Sequence, residues 1–168
     1  LACKACATQC PIKVDIPEYR SKFLSIYHQR YHRPFKDYAI ASIENGIQLQ
    51  SKFANIVNLI NDTKIAKWMT SKFLGLVNTP RLSYPQIEKR IPQETFIKHT
   101  NSYNQIKDED VILIQDAFTS FYEAPLIHSI YSFFNNIGLN LKIAPFTPNG
   151  KPWHVKGFLN TFEKIAKI

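Results

Sequence analysis

Three cysteines stand within the first ten residues, in LACKACATQCP, and the rest of the 168-residue chain holds none. Their spacing is Cys3-x2-Cys6-x3-Cys10, followed at once by Pro11. A [4Fe–4S] cluster needs four thiolates converging on a cube, and a tight loop supplies them at short spacing. The bacterial run is C-x2-C-x2-C-x3-C-P, whose fourth cysteine serves the other cluster in two-cluster proteins. Cys3, Cys6 and Cys10-Pro11 match its second, third and fourth cysteines. The first is expected one residue before Leu1.

Two other chemistries compete for these thiols. Cys-x2-Cys is half of many zinc sites, yet no second Cys or His pair follows at finger spacing. His28 and His32 fall on a helical stretch and read as surface residues. A redox Cys-x-x-Cys of the thioredoxin type would follow a strand rather than open a helical segment. The crowding and the odd number argue against a secreted disulfide scaffold. Reduced thiols place the chain in the cytoplasm.

The elements that must position these cysteines come next. Asp15 can cap a helix, and Pro17 suits its first turn. Tyr19, Phe23, Ile26 and Tyr27 recur at helical spacing, and Pro34 ends or redirects that helix. A second helix is expected over 35–44, broken at Asn45-Gly46. A third is expected over 47–60, and a fourth runs from Asp62 or Thr63 to a stop at Gly75. Residues 1–75 therefore read as an all-α iron–sulfur segment, incomplete at its start. Pro80, Pro85 and Pro92 make 76–110 an extended linker.

Beyond it, Val111–Ile114 is a short apolar run suited to a buried parallel strand. A helix is expected over 123–137, stopped by Gly138. A second strand falls within 139–144, and a final helix over 155–166. This β-α-β-α order is that of an α/β domain with a parallel sheet. Two strands make a small sheet, so 111–168 reads as the first part of such a domain. The fold class is α+β overall: an N-terminal all-α, ferredoxin-like helical segment, then a truncated α/β domain.

The net charge of +8 is unevenly placed. Residues 1–100 carry 15 Lys and Arg against 7 Asp and Glu, and residues 101–168 carry 6 against 6. A basic surface can attract nucleic acid, acidic lipid or acidic protein, or can simply be solvated. No apolar run approaches the ~18 residues of a spanning helix. The start lacks a signal-peptide pattern and an initiator Met, which suggests a piece of a longer polypeptide.

The stretch CKACATQCPIKVDIPEYRSKFLSIYHQRYHRPFKDY resembles the FAD-linked oxidase family that joins a flavin domain to an iron–sulfur and cysteine-rich module. Within that family it looks like the bacterial D-lactate/D-2-hydroxyglutarate dehydrogenase-like branch. VILIQDAFTSFYEAPLIHSIYSFFNNIG looks like the strand and helix that begin its C-terminal cysteine-rich domain, and PFTPNGKPWHVKGFL like the next loop. The resemblance implies FAD in an upstream domain, a 4Fe-4S cluster here, and electrons leaving one at a time to an acceptor. It implies that Cys3 and Cys6 bind one cluster and that Cys10 reaches a site organised upstream. The parent would then oxidise a D-2-hydroxy acid to its 2-oxo acid, while this chain alone would be inactive and would hold no intact cluster.

One loop departs from the wider family. Related subunits carry Cys-Cys-Gly after the second strand, where this chain reads Pro148-Asn149-Gly150. Asn149, Gly150, Lys151 and His154 form a candidate loop site. Lys151 or His154 could act near the flavin or an acidic substrate, or the loop could be structural and anchored by Trp153. The alternative parent is the iron–sulfur subunit of a glycolate oxidase or heterodisulfide reductase-type complex. A basic nucleic-acid module with zinc-held cysteines is a third reading, with salt-sensitive binding as its mark. The expected partners are the upstream flavin domain and an electron acceptor, with no nucleic acid. The basic face permits peripheral association with the inner face of the membrane.

Overall fold

In the computed structural model, residues 5–9, 11, 14–77, 79–97, 106–107 and 109–167 are described. Their helices are α1 (Ala5–Gln9), α2 (Ile16–Arg30), α3 (Phe35–Ala41), α4 (Ile43–Ser51), α5 (Ala54–Asn61) and α6 (Lys64–Met69). One π-type turn follows α6 at Thr70–Leu74. Two 3-10 turns, Ile87–Lys89 and Gln93–Thr95, precede strand β1 (Val111–Leu113). Then come α7 (Ala117–Tyr122), α8 (Ala124–Asn136), β2 (Leu141–Ile143), α9 (Lys151–Val155) and α10 (Leu159–Ala166). The described residues are mostly helical with one small parallel sheet, an α+β arrangement.

The contacts divide the chain into two compact units. The first holds 1–46, 72–75 and 149–168, and the second 47–71 and 76–148.

In the first unit, α2 starts where Asp15 accepts the Glu18 N–H at 2.9 Å. Pro17 is buried in its first turn, where a missing N–H costs nothing. Helices α9 and α10 pack on α2, and α9 also packs on α3. The periodic residues of α2 do not face this packing. Tyr19, Phe23 and Ile26 are each more than 60% exposed, while Ser21 is fully buried. The reason is close approach. A Cβ on Gly157 would lie 2.8 Å from the Ser21 carbonyl oxygen and from the Leu24 Cβ, so the α2 backbone runs against Gly157 on the face of Ser21, Leu24 and Ser25.

In the second unit, β1 and β2 pair in parallel with Val111 opposite Leu141 and Leu113 opposite Ile143. Phe96 adds a parallel bridge to Ile143, and the Ile97 N–H donates to the Ile143 carbonyl at 2.9 Å. Ile87, Ile91, Ala124, Ile127, Leu141 and Ile143 form the core beneath this sheet. Asn58 clamps Leu82 from both sides: its amide donates to the Leu82 carbonyl, and its carbonyl accepts the Leu82 N–H, each at 2.9 Å.

Several element limits differ from the sequence expectation. Helix α4 runs through Asn45-Gly46 rather than stopping there. A helical Gly costs only about 1 kcal/mol relative to Ala, and Ile47, 2% exposed, buries enough to offset it. The expected helix over 47–60 is two, parted at Lys52-Phe53. The expected final helix over 155–166 starts later, at Leu159, and an additional short helix, α9, precedes it, with Gly157, φ +74°, between the two. Helix α7 is an additional element, capped by Asp116.

Candidate cluster segment and the loop after the second strand

Of the three cysteines, Cys3 and Cys10 lie outside the described residues, and so does the Cys6 side chain. The Cys6 backbone belongs to α1 (Ala5–Gln9), which neighbours α2 in the first unit. The donor set itself fits a cluster, since three thiolates at x2 and x3 spacing are the soft ligands that iron–sulfur clusters take.

The loop residues are placed in full. Asn149 Oδ1 accepts the Lys151 N–H at 2.8 Å, which turns the chain into α9. Gly150 has φ +72°, and its N–H donates to Glu44 Oε2 at 3.1 Å. Glu44 is 5% exposed, so this carboxylate is spent on the loop. Lys151 is exposed at the start of α9. His154 is buried, and its Nε2 lies 2.9 Å from Glu18 Oε2. The Ser21 hydroxyl donates to the His154 carbonyl, and Phe162 meets the imidazole edge with ring centres 4.9 Å apart.

Electrostatics follow from these contacts. Burial opposes ionisation of Glu18, but hydrogen bonds and charge from His154 and Lys22 outweigh it and hold its pKa below the usual carboxylate value. Beside this pair, Lys156 Nζ donates to Asp37 Oδ1 at 2.7 Å, and His28 Nε2 lies 4.0 Å from Asp37 Oδ2. Arg33 donates to the carbonyls of Lys156 and Gly157, with its guanidinium 3.9 Å above the Phe158 ring. Trp153 and Tyr38 each meet Phe158 edge-on at 5.1 Å. The structure thus brings Gly150 and His154 to the N-terminal helices, while Asn149 acts within the loop. Their partners Glu44 and Glu18, and Arg33, which holds the neighbouring Lys156 and Gly157 carbonyls, were not legible from the sequence. Only the placement of Glu18 in the first turn of α2 gave a signal, and a first-turn acid is ordinary helix chemistry.

The comparisons extend this picture along the whole chain. The chain is 38% identical over 172 residues to D-2-hydroxyglutarate dehydrogenase of Escherichia coli (strain K12). It is 39% identical over 171 residues to the enzyme of that name from Pantoea ananatis. With that of Haemophilus influenzae it shares 36% over 172 residues. The chain is similar to D-2-hydroxyglutarate dehydrogenases. Each alignment covers 99% of this chain and 17% of the relative, so the chain spans about a sixth of the length of the curated relatives it matches. No family model matches it, and no solved structure matches it.

Proposed function

We propose that this chain is the electron-transfer region of a longer, flavin-dependent D-2-hydroxy acid dehydrogenase acting on D-2-hydroxyglutarate or a close analogue such as D-lactate. The observation that carries the reading is identity of 36–39% to enzymes of that name across 99% of the chain. A [4Fe–4S] cluster, where bound, supplies one-electron transfer, and FAD, for which no residue of this chain is assigned, supplies the two-electron oxidation of the hydroxy acid.

The residues of the chain have defined parts in this reading. Cys3 and Cys6 ligate one cluster as thiolates. Cys10, followed by Pro11, serves the second site of the two-cluster pattern. The α1–α2 segment gives the ferredoxin-like setting for them. Gly150 and His154 carry no thiol and brace the helices through Glu44 and Glu18, while Asn149 caps the turn within the loop. Tyr19, Phe23 and Ile26 leave an exposed apolar stripe on α2, the kind of surface that contacts other protein, and it suits the flavin domain. The excess of positive charge in the first hundred residues suits a cytoplasmic protein resting on an acidic membrane surface.

The test is the longer polypeptide that carries this chain, purified without oxygen, beside its Cys6→Ser variant. D-2-hydroxyglutarate should reduce the flavin in both. The variant should lose the iron of one cluster, about four irons, and transfer to a one-electron acceptor should fall more than tenfold. A colourless protein with one zinc at these cysteines, or unchanged iron and turnover in the variant, would refute the cluster assignment. Failure of the intact protein to oxidise any D-2-hydroxy acid would refute the enzyme assignment.

A further inference from the structure

In the second unit, helix α5 is built inside out. Its inward side carries Ala54, which is buried, and Asn58, which clamps the Leu82 backbone. Its apolar arc faces solvent instead. Ile56, Leu59 and Ile60 stand at i, i+3 and i+4, one face of a helix, and each is more than half exposed. Phe53, just before the helix, is exposed as well.

Helix α6 repeats the device. It contacts α5, and Thr63 caps it by accepting the Ala66 N–H at 3.2 Å. Ile65, Trp68 and Met69 have the same i, i+3, i+4 spacing, and they too are about half exposed or more. A surface helix of a globular protein normally turns such a stripe to the core. Exposed apolar patches of this kind mark contact with protein or with lipid.

The charges around the stripes decide between those two. Residues 52–69 contain Lys52, Lys64 and Lys67 against a single acid, Asp62. Asp62 is paired with Arg81, so its charge is already answered. The three lysines are exposed, and among the described residues none has an ion-pair partner. Lys64 sits one helical turn from Trp68, beside the apolar arc. The cores of protein interfaces are depleted in lysine. Helices that lie in a membrane surface join lysine to Trp, Ile and Leu. Their apolar side chains enter the boundary of the acyl chains, and the lysine stems reach back to the headgroups. At eight and six residues, α5 and α6 are far shorter than the ~20 residues of a spanning helix, so the contact is with one leaflet.

We propose that α5 and α6 form a docking surface for an anionic phospholipid bilayer. The outward arcs of both helices enter the headgroup boundary, and Lys52, Lys64 and Lys67 meet lipid phosphates. The proposal rests on the membrane reading of the basic charge and gives that reading a place in the chain. It needs neither the cluster nor the flavin assignment.

The test floats the longer polypeptide that carries this chain through a density gradient with vesicles of phosphatidylcholine, alone or mixed two to one with phosphatidylglycerol. Flotation with the mixed vesicles, and at least about tenfold less with phosphatidylcholine alone, is expected. Lys64→Glu/Lys67→Glu should weaken binding to the mixed vesicles at least about tenfold. Ile65→Ser, which keeps every charge, should weaken it at least about threefold. Both variants should keep the parent's circular dichroism and urea midpoint, and if the charge reversal upsets the fold, Ile65→Ser decides alone. If either folded variant floats like the parent, the contact lies elsewhere and the proposal falls, although the protein is still membrane-bound. Equal flotation with both kinds of vesicle also overturns it. No flotation overturns both the proposal and the broader membrane reading, and is the result expected if α5 and α6 instead pack on other parts of the polypeptide or on a second copy.

Discussion

At the scale of single residues, two glycines in the first unit separate backbone strain from lack of space. Gly150 and Gly157 have φ of +72° and +74°, so any L side chain meets a similar backbone penalty at both. Their surroundings differ. An added Cβ at Gly150 would meet the side chains of Phe162 and Ile165 at 3.1 and 3.2 Å, which can shift slightly. At Gly157 it would lie 2.8 Å from the Ser21 carbonyl and the Ser25 nitrogen, which belong to the α2 backbone and cannot shift without moving the helix. Gly157→Ala should therefore cost about 2–5 kcal/mol, the sum of left-handed strain and overpacking. Gly150→Ala should cost about 1–2 kcal/mol, mostly strain. Urea unfolding of the two variants measures the difference, and equal midpoints would show that α2 gives way easily. The sequence showed both glycines and could rank neither, because the ranking depends on a helix more than a hundred residues away.

At the scale of elements, α7 shows what local chemistry fixes and what apolar period alone misses. Asp116 Oδ1 accepts the N–H groups of Phe118 at 2.8 Å and Thr119 at 3.2 Å, which starts the helix. Partial burial opposes ionisation of Asp116, but these hydrogen bonds outweigh it and hold its pKa below the ordinary aspartate value. A carboxylate with a lowered folded-state pKa adds stability that is fully present above its unfolded pKa and is lost as pH falls through the folded value. Asp116→Ala should thus cost about 1 kcal/mol at neutral pH, and the gap to the parent chain should narrow as pH falls below the unfolded aspartate value of about 3.9. Guanidinium melts at neutral pH and below that value check this, and a gap that stays constant with pH would remove the carboxylate charge from the explanation. The strands and α8 were legible because their signals are local: a short apolar run, a long apolar period and Gly138 as a stop. Helix α7 was missed because Phe118, Phe121 and Tyr122 make one helical step, too short a window for a period to be read. The break at Lys52-Phe53 was missed because tertiary contacts, not local propensity, decide it. The cysteine run was legible as a motif from spacing alone.

At the scale of the whole molecule, the first unit joins segments remote in sequence through buried polar groups. Glu44 holds Gly150 across 106 residues, Asp37 holds Lys156 across 119, and Glu18 holds His154 across 136. Ser21, fully buried, donates to the His154 carbonyl across 133. Extending a closed loop adds little entropy cost, about 0.6 kcal/mol per doubling, so such remote ties are affordable once their ends are well paired. The converse is severe. Removing residues 149–168 leaves the Ser21 hydroxyl and the Glu44 carboxylate without their partners, and it strips α9 and α10 from α2. A helix with an exposed aromatic stripe on one side and a small, polar face on the other has little of its own to hold it in water. The second unit keeps its core and its sheet in that deletion, because 149–168 supply none of the residues that build them. Hydrogen exchange on the deletion variant should show the α2 and α3 amides losing at least about a hundredfold of protection. The Leu141–Ile143 amides should keep theirs. Protected α2 amides in the deleted chain would mean that the first unit is held together by its N-terminal helices alone, and that the polar ties to 149–168 follow the fold rather than cause it.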